Sequence, residues 1–438
     1  MGLLGQRSLI LLVAGVVALE LAVAPLGGDP HDINYWVATG WLVVSEGKNP
    51  YSYISYCDYT YPPLWMIIIS SYYAMAGLVV GPHDPWLGAT DLIFYFFLKL
   101  PLIIASTALA LILYGVVKGW TGDSDKARLA AYLWLLNPYV IWSVAVAGMF
   151  DVIPALFVLL SIFFLTRGND TLSALMLGLG VSSKIYPLLF LPILILYLWV
   201  KGRTLGQVLK YLGLVSLLPV VLSIPFLALD PKGYIYANTT YYSEHFPKPT
   251  GLTVFLGPWL MGLDSSLITL LSQVAFVVAV VSVLLCVSGW SKLDVIPLYG
   301  CLSLLLVFFA TNKVVNEQYL LWALPLVIID VSTQGSRRRI LYHALWVLFL
   351  THLFSNIFFF NFFHEFLKHF ASERFRRWVI FWTNRWSHSQ SIVEPRLVIR
   401  SILGLLSFVT CSIYAWDISR ENFKRLFLRF PRIKWGNS

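Results

Sequence analysis

Charge is the scarcest commodity in this chain: of its 438 residues 12% are Asp, Glu, Lys or Arg, about half the roughly 25% found in a soluble domain. That shortage excludes an ordinary water-soluble globule. Cysteine is scarce too. Cys57, Cys286, Cys301 and Cys411 stand far apart, with no CxxC pair and no metal-ligand spacing, so a zinc-type site has no support here. Acidic residues number 22 against 31 basic ones, a net charge of +9 that would point to nucleic acid in a soluble protein. In a chain this apolar it reflects basic cytoplasmic loops and tail, and no nucleic-acid partner is expected. Alternating apolar and polar segments of ~10 residues, the mark of a membrane β-barrel, are missing as well.

What fills the chain is hydrophobic sequence, 58% of residues with a mean hydropathy of +0.74, much of it in continuous runs that often reach the ~20 residues a membrane-crossing helix needs. The expected fold is all-α, a polytopic transmembrane helical bundle. The N-terminus, MGLLGQRSLILLVAGVVALELAVAPL, has the charge order of a signal peptide, but its apolar run over 9–26, broken only by Glu20, is long enough to span. It reads as a retained first helix with Arg7 inside. Further spans are expected at 92–117, 129–147, 152–165, 172–182, 186–200, 208–229, 267–289, 295–310, 319–331, 340–360 and 397–416. Lys and Arg then fall in alternate loops, as the positive-inside rule requires. One more apolar segment, 62–80, breaks that alternation if it crosses, so it is laid along the external surface, where Pro62 and Pro63 favour a break. About twelve crossings with both termini inside result.

Three stretches outside the membrane are long, 27–90, 230–266 and 361–395, and all lie on one predicted face. Chemistry is therefore expected externally. In GGDPHDINYW, Asp29, His31, Asp32 and Asn34 gather at the membrane surface; Asp32 fits either a helix cap or a general base. Asp151, in AGMFDVIPALF, sits where one span ends and the next begins and is open to the same two readings. Lys184 interrupts LGLGVSSKIYPLLFLPIL; either it snorkels or it meets an anion, a lipid phosphate being the natural one at that depth. Lys313, Asn316, Glu317 and Gln318 form a polar knot at another helix end. FRRWVIFWTNRW, with Arg374 just ahead of it and Arg376, Arg377 and Arg385 within, spaces Trp378, Trp382 and Trp386 as an amphipathic interfacial helix rich enough in arginine to grip phosphates. In the second loop Tyr234, Tyr236, Tyr241, Tyr242 and Phe246 suit sugar stacking, a lipid groove or the interfacial belt. The sequence Asn238-Thr239-Thr240 is a glycosylation sequon on the same face.

Four blocks carry a resemblance: HDINYWVATGWLVVSEGKNPYSYISYCDYTYPPLW, LWLLNPYVIWSVAVAGMFDVIPALFVLLSIFFLTRG, SSKIYPLLFLPIL and NEQYLLWALPL, in order from Asp32 to Pro325. Together the chain resembles polyprenyl-phosphate-sugar-dependent glycosyltransferases of the GT-C superfamily. The pattern is similar to the first mannosyltransferase of glycosylphosphatidylinositol synthesis and to prokaryotic polyprenol-phosphate-mannose transferases. The resemblance implies a GT-C-like catalytic core over 1–331 and C-terminal helices over 332–438, the latter holding the external amphipathic segment and a basic cytoplasmic tail. It implies a catalytic acid in the first external loop and the Pro-Pro segment along the membrane. Where that family's first site reads Asp-x-Asp, this chain reads Asp32, Ile33, Asn34, which weakens any Mg or Mn site. No cofactor is expected.

The substrates so implied are a polyprenyl- or dolichyl-phosphate sugar as donor, within membrane lipid, and a lipid-linked or glycan acceptor. A polyprenyl phosphate is a stable leaving group, so one base suffices. Asp32 takes the acceptor proton as the hydroxyl attacks C1, inverting the anomeric carbon, with Asp151 as a second carboxylate. Lys184, Arg374 and Arg377 are the expected phosphate contacts; His31, Asn34, Tyr61, Glu317 and Gln318 the expected substrate contacts. The protein would be integral to a prokaryotic plasma membrane or the endoplasmic reticulum, with its site external or luminal. A lipid-linked transporter or flippase is the rival, but no inverted repeat is visible. An oligosaccharyltransferase would need a large soluble domain.

Overall fold

The computed structural model describes residues 2–29, 31–87, 90–241, 248–249, 265–288, 295–312, 314–334, 336–388 and 390–429. They are almost entirely helical. Helix α1 (Gly2–Val23) leads into the first long loop, which is itself built from α2 (Asp32–Val44), two short turns over Pro50–Cys57, and α3 (Pro63–Val80). The long α4 (Leu92–Thr121) follows, then α5 (Ser124–Leu135), α6 (Val152–Thr166), α7 (Asp170–Ser183), α8 (Leu191–Val200) and α9 (Leu205–Leu229). After the second loop come α10 (Ser265–Ser288), α11 (Ile296–Thr311), α12 (Leu320–Gln334) and α13 (Ser336–Asn356). The chain closes with α14 (His364–Phe370), α15 (Glu373–His388) and α16 (Gln390–Arg429), the last packing back on α11 and α13. A two-residue parallel bridge pairs Lys248–Pro249 with Val314–Val315, tying the second loop to the entry of α12.

Local chemistry sets the boundaries. α3 starts at Pro63 as the Pro-Pro pair dictates, since Pro62 is held extended (φ −61°, ψ 161°) and Pro63 occupies the first helical turn, where no N–H is needed. Asp91, Asp123 and Thr204 accept backbone N–H groups at the starts of α4, α5 and α9. Pro138 breaks what reads in sequence as one span over 129–147. It pushes Asn137 out of the helical region (ψ 117°), and the chain resumes over 138–147 at 45° to α5. The end of that piece, Trp142–Ala147, is wound as a π-helix, a form that concentrates at functional sites.

Length does not confirm the span count. Among the described residues four helices are long and apolar enough to cross a membrane: Pro63–Val80, Leu92–Thr121, Leu205–Leu229 and Pro395–Ile418. Two bent pairs bring the number to six, so the expected twelve is not reached by this criterion. Val152–Thr166, Tyr186–Val200, Leu270–Leu285 and Ile296–Thr311 are apolar but shorter, and at ~1.5 Å per residue fall short of the roughly 30 Å hydrocarbon core. Pro63–Val80 is one of the four, so its placement along the surface rests on the loop charges alone. The outward faces are what lipid requires: α9 shows Leu209, Val220, Val221 and Ile224 each more than half exposed.

A buried cation fastens the backbone beneath the site. Lys99, in the N-terminal part of α4 and fully buried, points its ammonium at four backbone carbonyls: Ala24 at 2.7 Å, Ala145 at 3.1 Å, Val146 at 2.8 Å, and Gly27. It thereby staples the end of α1 to the π-helical segment. Asp29 N–H adds a bond to the Ala147 carbonyl (2.9 Å), and Gly28 N–H another to Phe362 (2.7 Å). Gly148 closes the junction with φ +81°, where an added Cβ would meet Ile33 at 2.7 Å. Asp32 and Asp151 thus start from backbone that is fastened together.

Candidate active site

Two cavities lie side by side in the bundle. The smaller, about 110 Å³, is polar and is lined by His31, Asp32, Tyr35, Asp58, Tyr61, Tyr241, Asn316 and Gln318, among others. The larger, about 600 Å³, is mostly apolar, with Leu188, Leu189, Phe276, Val280 and Phe308 along it and Lys184, Tyr186, Tyr319 and Trp322 at one end. Thr60, Tyr61 and Val314 line both, so a polar chamber and a greasy groove share one wall.

The chamber is built on the start of α2. Asp29 Oδ1 accepts the N–H groups of His31 (2.9 Å) and Asp32 (3.2 Å), capping the helix whose first residue is Asp32. The sequence left Asp32 as cap or base; the cap is Asp29. Asp32 meets His31 Nδ1 at 3.5 Å, and the opposite ring nitrogen, Nε2, stands 3.7 Å from Asp58 Oδ2. Tyr241 donates its hydroxyl to the same Asp58 oxygen at 3.1 Å. The hydrogen bond with Asp32 pushes the His31 imidazole up against the partial loss of water around it, favouring the cation between two carboxylates. Asp58 is a residue the sequence reading passed over. It adopts the left-handed conformation (φ +42°, ψ 34°), the sole non-glycine with positive φ among the described residues, and an aspartate tolerates that strain at modest cost.

Burial, followed by the Asp32 charge, pushes the Asp29 carboxyl up to about 7, against the pull of the two N–H groups it caps. A carboxyl raised on folding contributes stability that is full below its ordinary pKa of 3.8 and is lost as the pH climbs through about 7. Asp29→Asn keeps an oxygen for the two N–H groups. Its thermal stability in detergent should therefore fall less between pH 5 and pH 8 than that of the parent; superimposable pH profiles would rule the effect out.

At the groove end, Lys184 and Asp151, which the sequence marked separately, form a buried ion pair: Nζ to Oδ1 is 2.7 Å, and Trp322 Nε1 donates to the same oxygen at 2.5 Å. Burial raises the Asp151 carboxyl, while Lys184 and Trp322 hold it partly down. The ammonium sits over four rings, Tyr61, Phe150, Tyr319 and Trp322, with centroids 4.9–5.4 Å away. Trp322 in turn is sandwiched between Tyr186 (3.8 Å) and Tyr319 (3.9 Å). Lys184 reaches this place because its backbone turns extended at the end of α7 (φ −158°, ψ 143°).

Other expected residues fall elsewhere. Asp151 does not line the chamber; its carboxylate faces Lys184. Asn34 is two positions along α2 from Asp32, about 200° around the helix, and its Oδ1 accepts from Tyr95 (3.3 Å) and Thr90 (3.5 Å) away from the chamber. Glu317 is buried and lines neither cavity, its carbonyl accepting from Tyr139 at 2.7 Å, whereas Gln318 and Tyr61 do line the chamber. Arg374 and Arg377 are exposed on α15 and line neither cavity. Tyr234 packs against Tyr51 (4.8 Å), and Asn238 of the sequon lines the groove, its amide held by the Tyr234 carbonyl at 3.0 Å. Lys313, Tyr242 and Phe246 lie outside the described residues. Among the described residues no group of three or more His, Cys, Asp or Glu is placed to hold a metal ion.

Apolar helices of this length define an integral membrane protein, and its family, its relatives and its fold together place it in the GT-C superfamily. The fold is similar to that of ArnT from Cupriavidus metallidurans, solved bound to undecaprenyl phosphate, with a TM-score of 0.50 over 94% of this chain and 77% of that one at 12% identity. The model of the PIG-U family, described as GPI transamidase subunit PIG-U, matches residues 39–259, half of the chain, and the chain belongs to that family. It is also similar to GPI mannosyltransferase 1 of Saccharomyces cerevisiae, 26% identical over 160 residues, which are 36% of this chain and 34% of that one. The same-named protein of Dictyostelium discoideum is 29% identical over 188 residues, 41% of this chain and 38% of its own length. The aligned stretches thus span little more than a third of these curated relatives.

Proposed function

We propose that the protein transfers a hexose, mannose, from a polyprenyl-phosphate sugar to a lipid-linked or glycan acceptor at the external or luminal membrane face, with inversion. The observation that carries this reading is the shared wall. An apolar groove of about 600 Å³ suits a prenyl chain, and across Thr60 and Tyr61 it adjoins a chamber holding Asp32, Asp58 and His31. A donor lying in the groove would put its phosphate near Lys184 and its sugar against the carboxylates. Asp32 then takes the proton from the acceptor hydroxyl as that oxygen attacks C1; the C1–O bond to the phosphate breaks, and the departing phosphate keeps the electron pair. The relatives named as mannosyltransferases support the sugar, and the ArnT likeness supports the architecture. Transfer from a radiolabelled polyprenyl-phosphate mannose in detergent tests it. Label that stays on the donor with every lipid acceptor offered would sink the proposal.

The family match favours a second reading, because the family is named for a transamidase subunit. On that reading the same cavities hold a glycolipid without reacting with it. Binding of donor or acceptor with no turnover is its signature.

Metal dependence follows from His31. The imidazole already stands between Asp32 and Asp58, 3.5 and 3.7 Å from their oxygens, where a divalent ion would otherwise bridge them. Transfer is expected to survive exhaustive EDTA treatment with at most a small loss. A collapse reversed by Mn or Mg would instead assign the two carboxylates to a metal.

A further inference from the structure

A third cavity, of about 330 Å³, lies apart from the chamber and the groove, between α14 and α15. One side is apolar, with Leu367, Val379 and Ile380; the other carries His364, Lys368, Arg376, Arg377 and Glu373. Most of these charges are already matched. Lys368 Nζ meets Glu365 Oε1 at 2.7 Å, and Arg377 Nη2 stands 3.4 Å from Glu373 Oε1. Arg376 is different. Its Nη1 reaches the Lys368 carbonyl at 3.5 Å, and its Nε is shut off from solvent with no hydrogen-bond partner among the described residues. Three fixed cations against two carboxylates leave one positive charge, and the donor in want of an acceptor belongs to the same guanidinium.

The surroundings say what kind of anion fits. On α15, Phe375, Trp378 and Phe381 are 37–50% exposed along one face, the pattern of an interfacial helix, while Ile380, on the cavity side with Arg376, is itself 48% exposed. The apolar wall can therefore take the first carbons of an acyl chain while the polar wall takes a headgroup. His364 adds an imidazole that can share a hydrogen bond with a headgroup hydroxyl. A phosphodiester carries a single negative charge, which matches the single unbalanced cation; a phosphate monoester would bring nearly two.

We propose that this cavity binds the phosphodiester headgroup of an anionic membrane phospholipid, with Arg376 as its principal contact. The site is independent of the transfer reading and of its residues. Glu365, behind Lys368, also accepts the Thr90 N–H at 3.1 Å, so the site is fastened to the chain just ahead of α4.

Native mass spectrometry of the delipidated, purified full-length protein, titrated with phosphatidylglycerol, tests the proposal. One phosphatidylglycerol should be retained in preference to phosphatidylcholine, and Arg376→Gln should weaken it roughly ten- to a hundredfold. Arg385→Gln removes a charge from the same helix, where it stacks on Phe381 and Trp382, and should leave retention unchanged. Equal retention of the two lipids would overturn the proposal, as would an equal loss in Arg385→Gln. Stoichiometric displacement of phosphatidylglycerol by inorganic phosphate or by undecaprenyl phosphate would mark a monoester site instead and overturn it too. Should Arg376→Gln fail to fold, Ile380→Trp fills the cavity with every charge kept; lipid still held at parental strength by that variant refutes the site.

Discussion

Asp32→Asn is expected to slow transfer by about 10²- to 10⁴-fold, the usual range for loss of a general base, while the affinity for the lipid donor barely moves. The geometry separates the two effects. Asp32 lines the polar chamber, whereas the long apolar groove is lined by other residues apart from the wall at Thr60, Tyr61 and Val314. The fold should tolerate the change, because α2 is capped by the Asp29 carboxylate rather than by Asp32. Asp58→Asn is the necessary companion. Both carboxylates flank His31 in the same chamber, but Asp58 already accepts from Tyr241 at 3.1 Å, and an oxygen so engaged is the poorer proton acceptor. Asp58→Asn should therefore cost less than Asp32→Asn, acting through the position of His31. Single-turnover rates with labelled donor, alongside donor binding, decide the matter. A larger loss in Asp58→Asn would transfer the base to that residue, and near-normal turnover in both would remove the chamber from the chemistry.

The class of fold was open to reading because hydrocarbon imposes a composition on any chain that crosses it. Which apolar runs are long enough to cross was not, since Pro138 and the turn after Asn356 bend two of them in ways a hydropathy run does not show. In the site, Asp151 and Lys184 each stood out as a charge inside apolar sequence, yet nothing in one sequence says that residues 33 apart meet at 2.7 Å. Asn34 was judged beside Asp32 on nearness in sequence; once 32–44 is a helix, two positions apart means opposite faces. Lys99 drew no attention at all. Its partners are four backbone carbonyls, and main-chain acceptors leave no trace in residue identity. The arginines of α15 were assigned to the donor phosphate on charge alone, and charge does not say which cavity it faces.

Lys184 now carries a sharper prediction than a free cation would allow. Removing it alone, as Lys184→Met, leaves the Asp151 carboxylate buried with Trp322 as its remaining partner, and breaking a buried pair from one side typically costs about 3–5 kcal/mol. Asp151→Asn alone leaves a buried ammonium, though one still surrounded by the rings of Tyr61, Phe150, Tyr319 and Trp322, so its cost should be the smaller. In the double variant no uncompensated charge remains, and most of the stability should return, giving a coupling of about 2 kcal/mol or more. Activity need not follow stability, and that difference is the test of Lys184 as a phosphate contact. If the ammonium shifts from Asp151 toward the phosphate as the donor binds, the double variant should be as stable as the parent in a melting experiment, yet its kcat/KM for the lipid donor should be lower by roughly ten- to a hundredfold. The loss should show in KM as well as in turnover, since the phosphate is present in the bound donor and in the transition state alike. A double variant that recovers both its melting temperature and its KM would make the pair purely structural, a device for holding the end of α7 against the start of α6, and the donor phosphate would then have to be met by another group in the groove.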